Sequence, residues 1–317
     1  MSSKLSYLRL SVTDRCDMAC SYCIPYRKRL AHAQDDAVLS VDEIDVLVDA
    51  FARNGVTKVR LTGGEPLVRD DVVEIVRRIA GTTGIATVGL TTNGVRLHEL
   101  APELARAGLQ RVNISVDSLD RETFRRITGA DALDEVFRGI DAAIACGFEK
   151  VKLNTVVMRG INDTEVASIA DFAGRLPVEA RFIELMPLGW ATQQWRAMHV
   201  PAAEIRAALG RLEPLPYENG SSARRYTRAG SEAAVGIISP MSEGFCDGCN
   251  RIRVTCSGKL KPCLRLPDEE DLRPLLHAPD LTSRLGEVIG RLSCHKLSNS
   301  LASSSTVVAE AMCAVGG

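Results

Sequence analysis

Aromatic side chains make up only 4% of this 317-residue chain. So few rings leave no stacking platform of the kind that holds single-stranded nucleic acid. Charge of one sign is missing as well: 39 basic residues face 40 acidic ones, for a formal charge of −1. General nucleic-acid binding needs a basic stripe, so no nucleic-acid partner is expected. No apolar run is long enough to span a bilayer, which excludes a membrane partner of the helical kind. The segment Met1-Ser-Ser-Lys4 leads into a strand pattern without a signal-peptide core. The five histidines lie apart from the strand-end residues described below, so neither a Ser/His/Asp set nor a carboxylate pair offers catalysis. No solenoid-type repeat is present. Thiols, by contrast, are plentiful. The ten cysteines are clustered rather than spread as a disulfide framework, which predicts a reducing, cytoplasmic compartment.

Three of them form Cys16-Asp-Met-Ala-Cys20-Ser-Tyr-Cys23, spaced C-x3-C-x2-C, directly after the alternating run Tyr7–Val12. Structural zinc sites are closed by four ligands, and cubane clusters normally take four thiolates. Three thiols on a cubane would leave one iron open, the mark of chemistry rather than scaffolding. Unligated thiols, or a zinc site completed from elsewhere, are the plainer alternatives. A second group is Cys246-Asp-Gly-Cys249 with Cys256 and Cys263, and a closed four-thiolate zinc site is its plain reading. Strand alternation bears on it. Arg251, Arg253 and Thr255 share one face of the run RIRVT, while Ile252, Val254 and Cys256 share the other. If the arginines face a ligand, Cys256 points away with the apolar side.

Between and around these groups the chain alternates strand and helix. Ser40-Val-Asp-Glu43 has the form of a capping box, and Val41, Ile44, Leu47, Val48 and Phe51 recur at helical spacing. Strands are predicted over 7–12, 56–61, 85–91, 110–116, 149–157 and 178–186. Helices fall between them at 70–79, 97–107, up to 146, and 164–175. Six such units imply an α/β fold, a partial (β/α)6 parallel barrel with helices outside. Beyond residue 187 the alternation breaks down: 189–198 reads as loop, 202–209 as helix, 213–230 as turn-rich, 235–238 as strand, and the serine-rich 293–306 as mobile. The domain expectation is a barrel over 1–190 and a cysteine-rich extension over 191–317 that closes it.

A parallel strand covered on both sides should be apolar on both faces. Here one face is polar: Arg9 with Ser11, Arg60 with Thr62, Asn113 with Ser115 and Asp117, Lys152 with Asn154. Arg181 opens the sixth strand, and Glu184 and Met186 close it. With helices outside, the polar set should face the lumen, and cations converging there call for an anionic ligand, internal salt bridges being the alternative. Gly63-Gly64-Glu65-Pro66 follows the second strand, where glycine allows a close backbone approach.

Taken together, LRLSVTDRC, VRLTGGEPLVR, FCDGCNRIRVTCSGKLKPC and the terminal Gly-Gly resemble the GTP 3′,8-cyclase family of the radical S-adenosylmethionine (SAM) superfamily. The match runs from about Leu8 to Leu264, with a fragment at the C-terminus. The resemblance implies a lyase with two 4Fe-4S clusters, one on Cys16, Cys20 and Cys23 and one on Cys246, Cys249 and Cys263. Cys256 is not a ligand position of that family. The first cluster would bind SAM and cleave it reductively to a 5′-deoxyadenosyl radical. That radical would take the ribose 3′ hydrogen of GTP, giving 3′,8-cyclo-7,8-dihydro-GTP, the first step of molybdenum cofactor synthesis. By the same carry-over Tyr22, Gly64, Ser115 and Met186 line the SAM site. Arg9, Lys58, Arg60, Thr91, Lys152, Arg181, Arg251 and Arg253 bind GTP, and Gly316 and Gly317 reach into the active site. Implied partners are a one-electron reductant such as flavodoxin or ferredoxin and the downstream cyclic pyranopterin monophosphate synthase. A peptide-modifying radical SAM enzyme with an auxiliary cluster is one alternative; the RIR run and the Gly-Gly terminus argue against it. A zinc- or cluster-bearing electron-transfer protein is the other, and it would need no charged lumen.

Overall fold

The computed structural model describes residues 5–23 and 38–299, apart from 219, 230, 232 and 247. Six strands come first: β1 (Tyr7–Ser11), β2 (Lys58–Thr62), β3 (Thr87–Thr92), β4 (Arg111–Ser115), β5 (Lys150–Val157) and β6 (Glu179–Glu184). The helices between them are α1 (Val41–Arg53), α2 (Val72–Gly81), α3 (Leu97–Arg106), α4 (Arg121–Thr128), α5 (Leu133–Ala145) and α6 (Val166–Gly174). The capping box forms as its spacing predicts, with Glu43 N donating to Ser40 Oγ at 3.2 Å and Ser40 N to Glu43 Oε2 at 2.8 Å. Helix α1 then buries Ile44, Leu47, Val48 and Phe51, each worth roughly 1.5–3 kcal/mol of apolar burial.

The second half adds α7 (Trp195–Met198), α8 (Ala202–Leu209), β7 (Leu212–Pro214), β8 (Arg224–Arg228), β9 (Val235–Ile238), β10 (Arg251–Val254), β11 (Lys259–Lys261), β12 (Glu270–Asp271) and α9 (Leu281–Asn299). All strands join one sheet, ordered β12-β11-β10-β1-β2-β3-β4-β5-β6-β9-β8-β7. From β10 through to β9 every pairing is parallel. The sheet stays open, a partial barrel. Its six core strands are therefore flanked at both edges by strands of the 191–317 segment: β10 beside β1, and β9 beside β6.

Three sequence expectations are corrected here. Residues 189–198 are a 3-10 turn (Gly189–Gln193) followed by α7 rather than loop. The turn-rich 213–230 contains most of the antiparallel pair β7–β8, with β7 at the sheet's edge. The serine content of 293–299 does not break α9, because Leu281, Leu285, Val288 and Leu292 recur at helical spacing and bury that helix's apolar side. The remainder of the serine-rich stretch and the Gly316-Gly317 tail lie outside the described residues.

Candidate active site

The apolar face of the core strands is fully buried, with Leu8, Leu10, Val59, Leu61, Leu90, Val112, Ile114 and Leu153 at no more than 1% exposure. The opposite face lines a cavity of about 700 Å³. Every described residue given a cluster, SAM or GTP role from the sequence borders it: both thiol triads, Tyr22, Gly64, Ser115 and Met186, and the cations with Thr91. Glu184 does not. It shares a strand face with Phe182 rather than Arg181, since period two separates odd from even positions. Buried at 1%, its carboxylate accepts from Ala202 N (2.8 Å), Met241 N (2.8 Å) and Ser242 N (3.0 Å), tying α8 to the loop after β9. Ser11 is also turned from the cavity, donating to Thr13 O at 3.2 Å.

The first cysteine loop is held from several strand ends. Ala19 N and Ser21 N donate to Thr128 O and Ile127 O at the end of α4, each at 2.8 Å. Asn93 Nδ2 donates to Asp17 Oδ1 at 2.6 Å. Tyr22 Oη donates to Asp117 Oδ2 at 2.8 Å. The Gly63-Gly64 pair serves this loop directly. Gly64 N and Glu65 N donate to Thr13 O and Arg15 O at 2.8 and 2.7 Å. A Cβ on Gly64 would lie 2.2 Å from Arg15 O, and one on Gly63, whose φ is 151°, 2.3 Å from Thr13 O. The close approach that demands glycine is thus to the chain's own cysteine loop. Glu65 is buried below it and accepts from Leu67 N, Thr92 Oγ1 and Asn93 N at 2.9, 2.7 and 2.6 Å.

The second triad enters from the other end of the same strands. Cys249 precedes β10, whose Arg251 pairs with Tyr7 at the start of β1, whereas Cys16 follows the end of β1. Asn250 fixes the junction, its O accepting from Ser6 N and Tyr7 N at 3.2 Å and its Nδ2 donating to Ser6 Oγ at 2.9 Å. A five-residue strand spans roughly 13 Å, so the triads face each other along the cavity. Cys256 lies off its wall, 4% exposed, on the side of Ile252 and Val254. Among the described residues no three His, Cys, Asp or Glu side chains are gathered as a single ion would hold them. Burial first, and the nearby Asp117 carboxylate next, push the Cys20 thiol well above its ordinary value. Each triad offers three thiols bordering the cavity, a donor set whose chemistry would suit a thiolate-held cluster.

Between the triads the strand register lays down rows. One row runs Arg253–Arg9–Arg60–Gly89–Arg111–Lys150, the next Thr91–Asn113–Lys152–Glu179, and the next Ser115–Asn154–Arg181. These rows crowd positive charge onto one wall. Burial, then repulsion from Arg253, lowers Arg9 to about 9. Burial, then Arg181, lowers Lys152 to about 7. Burial alone would raise the Tyr7 phenol, but Arg60, Arg9 and Lys58 outweigh it and bring it down to about 7. Tyr7 Oη accepts from Arg60 Nε at 2.7 Å, and Lys58 Nζ lies 4.3 Å from the Tyr7 ring centroid.

Internal pairing answers part of this charge. Glu179 lies 2.6 Å from Arg181, 4.0 Å from Lys152 and 3.2 Å from Arg225. Burial would raise its carboxyl, but Arg181 and Lys152 outweigh that and hold it below its ordinary value. One carboxylate against three cations leaves the lumen positive, as a polyanion site requires. Sequence reasoning missed Tyr7, Arg111 and the Tyr22–Asp117 link. Tyr7 and Arg111 were legible in principle, because each keeps period two with a named polar residue on its strand, Arg9 and Asn113; the Tyr22–Asp117 link joins residues too distant in sequence to be foreseen.

Residues 10–173 match the radical SAM superfamily, and residues 178–300 match the family described as Molybdenum Cofactor Synthesis C. Among curated proteins, the GTP 3′,8-cyclase of Moorella thermoacetica is 43% identical over 293 residues, covering 91% of this chain and 90% of that protein. The GTP 3′,8-cyclase of Heliobacterium modesticaldum is 45% identical over 274 residues, covering 85% and 84%. Among solved structures, Streptococcus suis SuiB bound to S-adenosylmethionine superposes with a TM-score of 0.61 at 14% identity, covering 90% of this chain and 68% of that one. At that identity the likeness is one of fold.

Proposed function

This chain belongs to the GTP 3′,8-cyclase family of the radical SAM superfamily, and we propose that it converts GTP to 3′,8-cyclo-7,8-dihydro-GTP in molybdenum cofactor synthesis. The reading is carried by one observation: a single cavity bordered by two thiol triads at opposite ends, with a cationic floor between them. Cys16, Cys20 and Cys23 hold one 4Fe-4S cluster, and Cys246, Cys249 and Cys263 a second. When bound, the first cluster and SAM supply the 5′-deoxyadenosyl radical that takes the ribose 3′ hydrogen.

The chain's own side chains bind, orient and exclude water. Tyr22, Gly64, Ser115 and Met186 border the SAM site. Arg9, Lys58, Arg60, Lys152 and Arg181 take the triphosphate, Thr91 touches the substrate, and Arg251 and Arg253 hold it toward the second cluster. Charge-assisted contacts of this kind position a polyanion strongly. Gly316 and Gly317 complete the site. In this reading the enzyme is a cytoplasmic lyase that takes electrons from a flavodoxin- or ferredoxin-type donor and feeds cyclic pyranopterin monophosphate synthase. Residues 1–190 supply the radical and 191–317 the second cluster. Anaerobically reconstituted protein given GTP, SAM and dithionite should release 5′-deoxyadenosine and the cyclic nucleotide in equal amounts. Deoxyadenosine formed without any change in GTP would overturn the assignment.

A further inference from the structure

The middle row of the cavity wall contains polar atoms with nothing to bond. Asn113 is 9% exposed and Thr91 is half-buried, yet Asn113 Oδ1 and Thr91 Oγ1 are both fully covered and make no hydrogen bond. The two residues are direct register partners on β4 and β3, and both border the cavity. A buried polar atom left unsatisfied is costly, and native chains keep one where a ligand supplies the partner. Two adjacent oxygens, one a pure acceptor and one able to donate or accept, suit a vicinal diol.

The rows on either side say whose diol it is. Rows two residues apart along a strand lie roughly 6.6 Å from one another. The row below carries Arg9, Arg60 and Arg111, the middle row continues past Asn113 to Lys152, and the row above runs from Ser115 to Arg181. A nucleotide with its phosphates among these cations, between Arg60 and Lys152, sets its ribose against Thr91 and Asn113. That is also where a hydrogen on the sugar comes nearest to SAM at the strand ends.

We propose that Asn113 is a specificity residue for the nucleotide sugar: its Oδ1 accepts a hydrogen bond from the ribose 2′-hydroxyl, beside Thr91, and so selects ribonucleotides over 2′-deoxyribonucleotides. This rests on the cyclase reading above. A site built to bond a hydroxyl rejects the analogue lacking it, because the site's own polar atom is then left unpaired.

The test is a calorimetric titration of the anaerobically reconstituted full chain with GTP, 2′-deoxyGTP and SAM separately. The wild type should bind GTP more tightly than 2′-deoxyGTP by about tenfold. Asn113→Ala should weaken GTP to the level of 2′-deoxyGTP and leave 2′-deoxyGTP and SAM unchanged, while Asn113→Ser recovers part of the preference. The melting temperature of ligand-free Asn113→Ala should hold or rise, because the residue removed was unsatisfied. Equal loss of both nucleotides with a lowered melting temperature would make Asn113 a structural residue and overturn the proposal. Loss of SAM alone would assign the diol to SAM and overturn it as well. Wild-type protein that binds SAM but neither nucleotide would instead bring down the cyclase reading, and this proposal with it.

Discussion

Lys152 gives the sharpest handle on the cationic floor. Its side chain is 15% exposed, and it faces Glu179 and Arg181 on β6, Arg60 on β2 and Lys150 on its own strand. Burial and Arg181 bring it from an ordinary 10.5 to about 7, so near neutral pH it is half protonated in the ligand-free chain. A bound triphosphate favours the charged form, so GTP binding should be accompanied by proton uptake. Above pH 7 the protonated fraction falls about tenfold per unit, and GTP affinity should fall with it. Tyr7, also brought to about 7, works in the same direction by adding negative charge as pH rises. Lys152→Met should weaken GTP binding about 10- to 100-fold at pH 7, from a charge-assisted contact of roughly 1.5–3 kcal/mol. It should also take about one unit off the slope of log Kd against pH between 7 and 9, while leaving SAM binding alone.

Ligand-free stability should move the opposite way. The unfolded chain holds the lysine proton up to 10.5 and the folded chain only to about 7. Between those values the unfolded state binds more protons, so stability rises with pH across that window. Lys152→Met should remove the lysine's share of the rise, leaving that of the Tyr7 phenol, and stabilise the ligand-free protein below pH 7. Calorimetry in buffers of different ionisation enthalpy reads the proton count directly. A wild-type Kd flat from pH 7 to 9, or an unchanged slope in Lys152→Met, would refute the reasoning.

Three further outcomes are expected. Cys20→Ser should abolish 5′-deoxyadenosine formation under reductant, and undiminished cleavage in that variant would remove the first triad's role. Cys263→Ser should lose the second cluster's iron while Cys256→Ser keeps it, at a cost of about 1–3 kcal/mol for a buried hydroxyl; equal iron loss in both would make the second site four-thiolate. Gly89→Ala should raise KM for GTP with little effect on SAM cleavage. Its Cβ would sit 2.8 Å from Arg60 Nη2 and 3.3 Å from Arg111 O, and the guanidinium is already fixed by bonds to Tyr7 Oη and Leu90 O at 2.7 and 2.6 Å. An unaltered KM would mean that Arg60 is not held where the substrate needs it.

The βα units and the polar face were legible because burial imposes period two on every core strand. A cation such as Arg60 between Val59 and Leu61 has only the lumen to face. The same rule, misapplied across an odd number of steps, put Glu184 with Arg181, and the structure separates them. Pairing across distant strands was beyond the reach of local spacing. Nothing near Tyr7 announces that Arg60 will bond its phenol, or that Glu179 will share one carboxylate among three cations. The glycines after β2 border the cavity as a ligand approach predicts, and they also admit backbone atoms of Thr13 and Arg15, which local spacing does not announce. Most of these contacts join residues dozens of positions apart, and only the assembled sheet brings them together.

The pairing of β10 with β1 is the least legible of these contacts, and it sets the scale of the site. Arg251 and Tyr7 are 244 positions apart in the chain, yet they are register partners. Because Cys249 enters that pair at one end and Cys16 leaves it at the other, the separation of the triads is governed by the length of β1, roughly 13 Å for five residues. Flexible loops alone could not hold two thiol triads in a fixed line, whereas a hydrogen-bonded strand pair can. The rows of side chains between them are then spaced by the same backbone repeat, so the arginine row, the Thr91–Asn113 row and the strand-end residues fall in a set order along the cavity. A one-residue slip of β10 against β1 would move Arg251 and Arg253 to the apolar face and bring Ile252 and Val254 into the lumen. The apolar burial of Ile252 and Val254 at 0% exposure is therefore what keeps both arginines, and the triad beside them, turned toward the cavity.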